Sequence, residues 1–179
     1  MMSADVLLLP GWHDSGPGHW QSLWETAHGY QRVTQHDWDH PRRGDWIARL
    51  EEVLLSRGGP VLLVAHSLGC ILVAAWAAHS RNTDRVKAAL LVAPGDVERE
   101  ALAQQLPGWS QVVRQKLPFP SVLVGSRNDP YCEAGRALGF AQAWGSRFVD
   151  LGAAGHINAD AGFGPWPEGH DILLKMMKD

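Results

Sequence analysis

The sequence is poor in cysteine. Its 179 residues hold two, Cys70 and Cys132, and no C-x-x-C pair. Two cysteines cannot build a disulfide framework, and their scarcity fits a reducing, cytoplasmic compartment. There is no run rich in Lys and Arg, and the net charge is −3. That argues against a protein that tracks the phosphates of a nucleic acid. No apolar run approaches the roughly 20 residues that a membrane span requires. The first residues, Met1-Met2-Ser3-Ala4-Asp5, show no basic stretch leading into a long apolar segment, so no secretory leader is expected. Repeats, low-complexity tracts and linkers are missing too. What remains is 45% hydrophobic and 20% charged, an ordinary globular composition. The length suits a single domain over residues 1–179, able to bury roughly 70% of the surface of its unfolded chain. Tryptophan is unusually common: nine, against two tyrosines and four phenylalanines.

Short apolar runs alternate with helix-like stretches. Val6-Leu7-Leu8-Leu9 has no polar break and stops at Pro10-Gly11, as a strand buried on both faces would. Val61–Ala65, Val86–Ala93 and Ser121–Gly125 read the same way, and Tyr30–Gln35 and Arg147–Leu151 read as shorter strands. Between them, His19–His28 places Trp20, Leu23, Trp24 and Ala27 on one helical face. Asp45–Ser56 does the same with Trp46, Ile47, Leu50, Val53 and Leu54. Gly69–His79 is apolar nearly all round, which predicts a buried helix. Asp96–Gln105 predicts a helix capped by Asp96. Tyr131–Trp144 and a stretch near Glu168–Met177 predict two more. Strands alternating with helices imply βαβ units, right-handed crossovers and a parallel sheet with helices on both faces. Such sheets bind ligands beyond the carboxyl ends of their strands. Chemistry is therefore expected just after Leu9, Ala65, Ala93, Gly125 and Leu151.

Ala65-His66-Ser67-Leu68-Gly69 stands where a strand meets the apolar helix. Small residues two positions either side of a serine are what a nucleophile elbow needs, because the turn brings strand and helix too close for bulk. The usual first residue is Gly; here it is Ala65. The competing reading makes Ser67 a helix cap. A serine nucleophile needs a general base, and the base needs an orienting acid. In this architecture they follow in the order Ser, Asp/Glu, His. Asp129, in Ser126-Arg127-Asn128-Asp129-Pro130, and His156, in Gly152-Ala153-Ala154-Gly155-His156, fall on the expected edge in that order. Asp129 could instead cap the next helix. Asp96, after the fourth strand, is a rival acid. His66, His79 and His170 compete as the base, but His66 abuts the serine on a sharp turn and should point elsewhere.

The oxyanion of an attacked carbonyl needs preorganised donors. The N–H of Leu68 is one candidate. The other comes from Pro10-Gly11-Trp12-His13, with the N–H of Trp12 preferred over that of His13, because Gly11 permits a sharp turn. His13 and the loop tryptophans Trp12, Trp38, Trp109 and Trp166 are candidates for lining an acyl pocket. His36-Asp37-Trp38-Asp39-His40 packs four potential ligands into five residues, but neighbours in sequence rarely converge on one ion, and H-E-x-x-H is absent. Gly11–Gly18 contains neither glycine-rich nucleotide motif. No metal or cofactor is expected.

Together these motifs resemble a family. Pro10-Gly11-Trp12, Ser15-Gly16-Pro17-Gly18-His19-Trp20-Gln21, the Ser67 pentapeptide, Ser126-Arg127-Asn128-Asp129-Pro130-Tyr131 and Ala154-Gly155-His156-Ile157-Asn158 are similar to those of small α/β-hydrolases related to retinoblastoma-binding protein 9 and its bacterial predicted esterases. The likeness runs from about residue 5 to 175. It implies an α/β-hydrolase-like three-layer sandwich lacking the usual first two strands, with a six-stranded parallel sheet in the order 2-1-3-4-5-6 and no lid domain. By motif match the nucleophile falls on Ser67, the acid on Asp129 and the base on His156. The family name also suggests binding through an L-x-C-x-E peptide, but Leu68-Gly69-Cys70-Ile71-Leu72 lacks the Glu.

The expectation is a cytoplasmic serine hydrolase, a carboxylesterase acting through a covalent acyl-enzyme on small-molecule esters or amides. Residues 94–119, where lids are often inserted, leave room for about one helix, which predicts an open, shallow site for short acyl groups. The alternatives are a weak or inactive binding protein that kept the fold, and a metal-dependent hydrolase using the His36–His40 cluster.

Overall fold

A computed structural model describes residues 5–179; Met1–Ala4, read above for a leader, lie outside the described residues. Six strands, β1 (Asp5–Leu9), β2 (Gln31–Arg32), β3 (Val61–His66), β4 (Val86–Val92), β5 (Ser121–Gly125) and β6 (Arg147–Asp150), form one sheet. Its order is β2-β1-β3-β4-β5-β6 and every pairing is parallel. The helices are α1 (Trp20–His28), α2 (Arg43–Leu55), α3 (Leu68–His79), α4 (Glu100–Gln105), α5 (Ala134–Trp144) and α6 (Pro167–Lys178). This is the expected α/β-hydrolase arrangement with its short edge β2. Among the described residues, no helix is long and apolar enough to cross a membrane.

The period of two along each strand divides the core into layers. Leu7, Leu9, Leu63 and Ala65 face a cluster with Trp46, Leu50, Ile71, Trp76, Phe140 and Trp144 of α2, α3 and α5. Val6, Leu8, Leu62 and Val64 face a second cluster with Trp20, Trp24, Leu173 and Met176 of α1 and α6. Helix α3, apolar on every side, lies against the middle of the sheet, and Leu68 through Trp76 are all buried. The tryptophans are structural mass. Trp20, Trp24, Trp46, Trp76, Trp109 and Trp144 are fully buried or nearly so. Their indole N–H groups find acceptors: Trp24 donates to Pro165 O at 2.7 Å, Trp76 to Glu51 at 2.6 Å, Trp109 to Pro41 O at 2.9 Å and Trp144 to Val113 O at 2.7 Å. A large ring with one satisfied donor fills a small domain well.

Two helices, α4 and α5, start three or more residues later than the sequence expectation. Helix α4 begins at Glu100, not at Asp96, and its N-cap Arg99 makes no side-chain cap. The Asp96 carboxylate is taken by Arg136, at 2.8 and 2.9 Å, and residues 96–99 close a turn through Arg99 N–H to Asp96 O. Helix α5 begins at Ala134 rather than Tyr131. Asp129 Oδ1 accepts from Tyr131 N–H at 2.9 Å, a local turn that holds the chain out of the helix. Between β4 and β5 the chain carries one six-residue helix, α4.

The carboxyl ends of the strands gather on one rim. From it project Gly11 and Trp12 after β1, Ser67 after β3, Gly95 after β4, Asp129 after β5 and His156 after β6.

Candidate active site

Ser67 joins β3 to α3 with φ 55° and ψ −118°. A non-glycine residue there costs on the order of 1–3 kcal/mol and persists only where its surroundings dictate it. Its N–H donates to Val92 O at 3.0 Å and its C=O accepts from Cys70 N–H at 3.0 Å, which fixes the turn at both ends. Gly69 is obligatory, since a Cβ there would stand 2.2 Å from the Leu9 carbonyl oxygen. Ala65, the departure from the usual Gly, sits fully buried in register with Leu9 and Leu91, so a methyl is accommodated there.

Ser67 occupies the N-cap of α3 but makes no capping bond. Its Oγ lies 2.9 Å from His156 Nε2 instead. His156 Nδ1 lies 2.9 and 3.0 Å from the two oxygens of Asp129. A carboxylate only accepts, so Nδ1 carries the proton and Nε2 presents a lone pair to the hydroxyl. His156 and Asp129 are 8% and 9% exposed, which removes most competing water from the relay. The Tyr131 ring meets His156 edge-on, centroids 4.6 Å apart. The other imidazoles stand elsewhere. His66 donates through Nε2 to His156 O at 2.8 Å, His170 pairs with Tyr30 Oη at 2.8 Å, and His79 is exposed at the end of α3. Asp96, the rival acid, is held by Arg136.

The β1 loop presses against the elbow. A Cβ on Gly11 would stand 3.0 Å from Leu68 N and 3.0 Å from Ser67 Cβ. Among the described residues, neither the Leu68 nor the Trp12 N–H donates to a protein acceptor. The His13 N–H, the runner-up donor, is taken by Trp38 O at 3.1 Å. A cleft of about 600 Å³ opens over Ser67. Its lining includes apolar Val97, Leu102 and Leu106 and polar His13, Asp14, Asn158 and Asp160. Trp12 lines it, its indole donating to Asp39 O at 2.9 Å and its ring stacked on His13.

Three expected pocket residues are not there. Trp109 is fully buried in the α2–α3–α5 core. Trp38 packs edge-on against Trp46, and Trp166 against Trp20. Sequence reasoning also missed Gly95, whose Cβ would come 3.4 Å from Ser67 Oγ. It follows β4, where the strand-end rule points, but a glycine offers no chemistry to notice.

Burial governs ionisation around the rim. His19, which lines the cleft, is pushed down to about 3 by burial, with smaller contributions from His156 and Arg32. Burial likewise holds His66 well below the ordinary imidazole value. Cys132 is pushed up to about 12 by burial, and Cys70 is raised by the same cause, so neither thiol is an available nucleophile. The His36–His40 segment disperses its side chains: Asp39 pairs with His13 at 2.8 Å, while His40 and Asp37 are 3.5 Å apart. Among the described residues, no group of three or more His, Cys, Asp or Glu is placed to hold a metal ion.

A model of the family described as serine hydrolase matches residues 6–175. Solved structures are similar over nearly the whole chain. A Pectobacterium atrosepticum protein assigned as a YdeN-like hydrolase is 33% identical, with a TM-score of 0.86 over 98% of this chain and 91% of its own. The ydeN gene product of Bacillus subtilis is 20% identical, with a TM-score of 0.78 over 98% and 100%. The esterase RhEst1 from a Rhodococcus species is 14% identical, with a TM-score of 0.69 over 97% and 90%. No functionally curated protein matches the chain.

Proposed function

The chain belongs to the serine hydrolase family, and from that premise we propose that it is a carboxylesterase of small, short-acyl esters, working in the cytoplasm from a single domain. Ser67 Oγ attacks the ester carbonyl while His156 Nε2 takes its proton. Asp129 holds the ring in the required tautomer and stabilises the imidazolium that forms. The N–H groups of Leu68 and Trp12 receive the oxyanion, each contributing on the order of 10²–10³ in turnover. His156 then protonates the departing alkoxide, and a water, activated by the same nitrogen, releases the acid from the acyl-serine.

The observation that carries this reading is the unbroken relay from Ser67 Oγ to His156 Nε2 at 2.9 Å and from His156 Nδ1 to Asp129 at 2.9 Å. The three residues come from three strand ends. Burial and hydrogen bonding hold them together before any substrate arrives, which is what an efficient relay needs. The short chain between β4 and β5 supports the acyl preference. With only α4 beside the cleft, its apolar lining from this segment is confined to Val97, Leu102 and Leu106, little surface for a long acyl chain.

Stopped-flow hydrolysis of p-nitrophenyl esters tests it. Acetate and butyrate are expected to give a burst of nitrophenolate equal to the enzyme, followed by slower turnover. Palmitate is expected to react at least tenfold more slowly. Faster palmitate turnover would contradict the short-acyl reading, and absence of any burst or turnover would contradict the esterase reading itself.

A further inference from the structure

We propose that His66 is a positioning residue that ties the base to the nucleophile, holding His156 in line with Ser67 through its main chain. The inference rests on the reading of Ser67 and His156 as nucleophile and base.

His156 sits on a loop with little regular structure of its own. Edge strand β6 ends at Asp150. Beyond it Gly152, Gly155, Ile157, Gly162, Gly164 and Trp166 all adopt positive φ. Such a segment has no ladder to fix an imidazole to within the fraction of an ångström that proton transfer demands. The loop is instead held by side chains from elsewhere, on four consecutive residues. Ser126 Oγ accepts from Ala154 N–H at 3.0 Å and Asn128 Oδ1 accepts from Gly155 N–H at 2.7 Å. His66 Nε2 donates to His156 O at 2.8 Å, and Trp20 Nε1 donates to Ile157 O at 2.9 Å.

These four contacts do different things. Ser126 and Asn128 belong to the loop that carries Asp129, so they set base against acid. Trp20 anchors the loop to α1. His66 alone comes from the elbow, as the residue before Ser67. It therefore couples the position of the base to that of the nucleophile across 90 positions of chain. A carbonyl only accepts, so the His66 proton must be on Nε2. Burial keeps the ring neutral, so Nδ1 is left without a proton. Neutrality matters because the His66 and His156 ring centroids are 4.7 Å apart. A second cation there would oppose the imidazolium formed during catalysis. His19, 4.6 Å beyond His66, is neutral for the same reason.

The test is kcat per active site titrated by the p-nitrophenyl acetate burst, in three variants. His66→Phe keeps the bulk and removes the donor. His66→Gln places an amide N–H close to where Nε2 stands, while His66→Asn is one bond too short. The Phe and Asn variants are expected to lose about 10–100-fold in kcat per titrated site with KM within about twofold, because small misplacements are costly. The Gln variant is expected to recover at least tenfold over Phe. If His66→Phe does not fold, the contrast between Gln and Asn decides the matter. Wild-type kcat per site in the Asn variant, or a Gln variant no better than Asn, would overturn the proposal. So would a loss confined to the number of titratable sites, which is what a purely structural role predicts. A wild-type protein that gives no burst would instead overturn the underlying reading of Ser67 and His156.

Discussion

Both carboxylate oxygens of Asp129 lie within 3.0 Å of His156 Nδ1. The rival acid, Asp96, directs both oxygens to Arg136. The two aspartates should therefore separate cleanly. Asp129→Asn is expected to lower kcat by about 10⁴, because an amide can donate to Nδ1 and trap the wrong tautomer. Asp96→Asn is expected to cost about 1–2 kcal/mol of stability, since Arg136 remains partly solvated, with kcat per titrated site within about threefold. Kinetics and denaturant unfolding of both variants check this.

Two helix glycines, Gly69 in α3 and Gly139 in α5, differ in what a side chain would meet. Gly69→Ala would drive a methyl into the Leu9 carbonyl at 2.2 Å. Because the obstacle is backbone, the cost should reach about 3 kcal/mol. Gly139, inside α5, has nothing within 4 Å of its would-be Cβ. Gly139→Ala is expected to stabilise by about 0.4–1 kcal/mol. Urea denaturation of the pair measures both.

Acid should weaken the fold through His19 and His66. Both imidazoles are held neutral by burial, His19 down to about 3, while in the unfolded chain they protonate near the ordinary 6.5. The unfolded state then binds more protons below that value, so stability is complete above about pH 6.5 and falls as pH drops. Each imidazole contributes a slope of up to about 1.4 kcal/mol per pH unit once it is fully protonated in the unfolded chain. Stability measured from pH 7 to 4.5 should decline, and His19→Gln should flatten the decline. An unchanged slope would contradict the burial argument for His19.

Much of this was legible in the sequence, and for identifiable reasons. Val6–Leu9 and Val61–Ala65 read as strands because a parallel strand covered on both faces has no polar break. The small residues around Ser67 were visible because close approach of strand and helix excludes everything else. What failed was the reading of tryptophans by location. Trp38, Trp109 and Trp166 lie outside regular elements, and loop residues are ordinarily surface residues. Here the loops fold their rings inward: Trp109 satisfies its indole on Pro41 O, while Trp38 and Trp166 pack against Trp46 and Trp20. Asp96 looked like a helix cap because its partner, Arg136, is 40 residues away and carries no local signal. The contact between His66 and His156 was hidden for the same reason. A histidine beside a serine on a sharp turn points away from it, but where it points depends on a loop 90 residues further on.

The proposed chemistry requires Ser67 to be an activated nucleophile. Incubation of the native protein with a fluorophosphonate, followed by peptide mass spectrometry, asks this directly. The predicted result is a single covalent adduct on Ser67, formed at least 10³-fold more slowly in His156→Ala and absent in Ser67→Ala. A folded wild-type protein that forms no adduct, or forms it on another residue, would contradict the account.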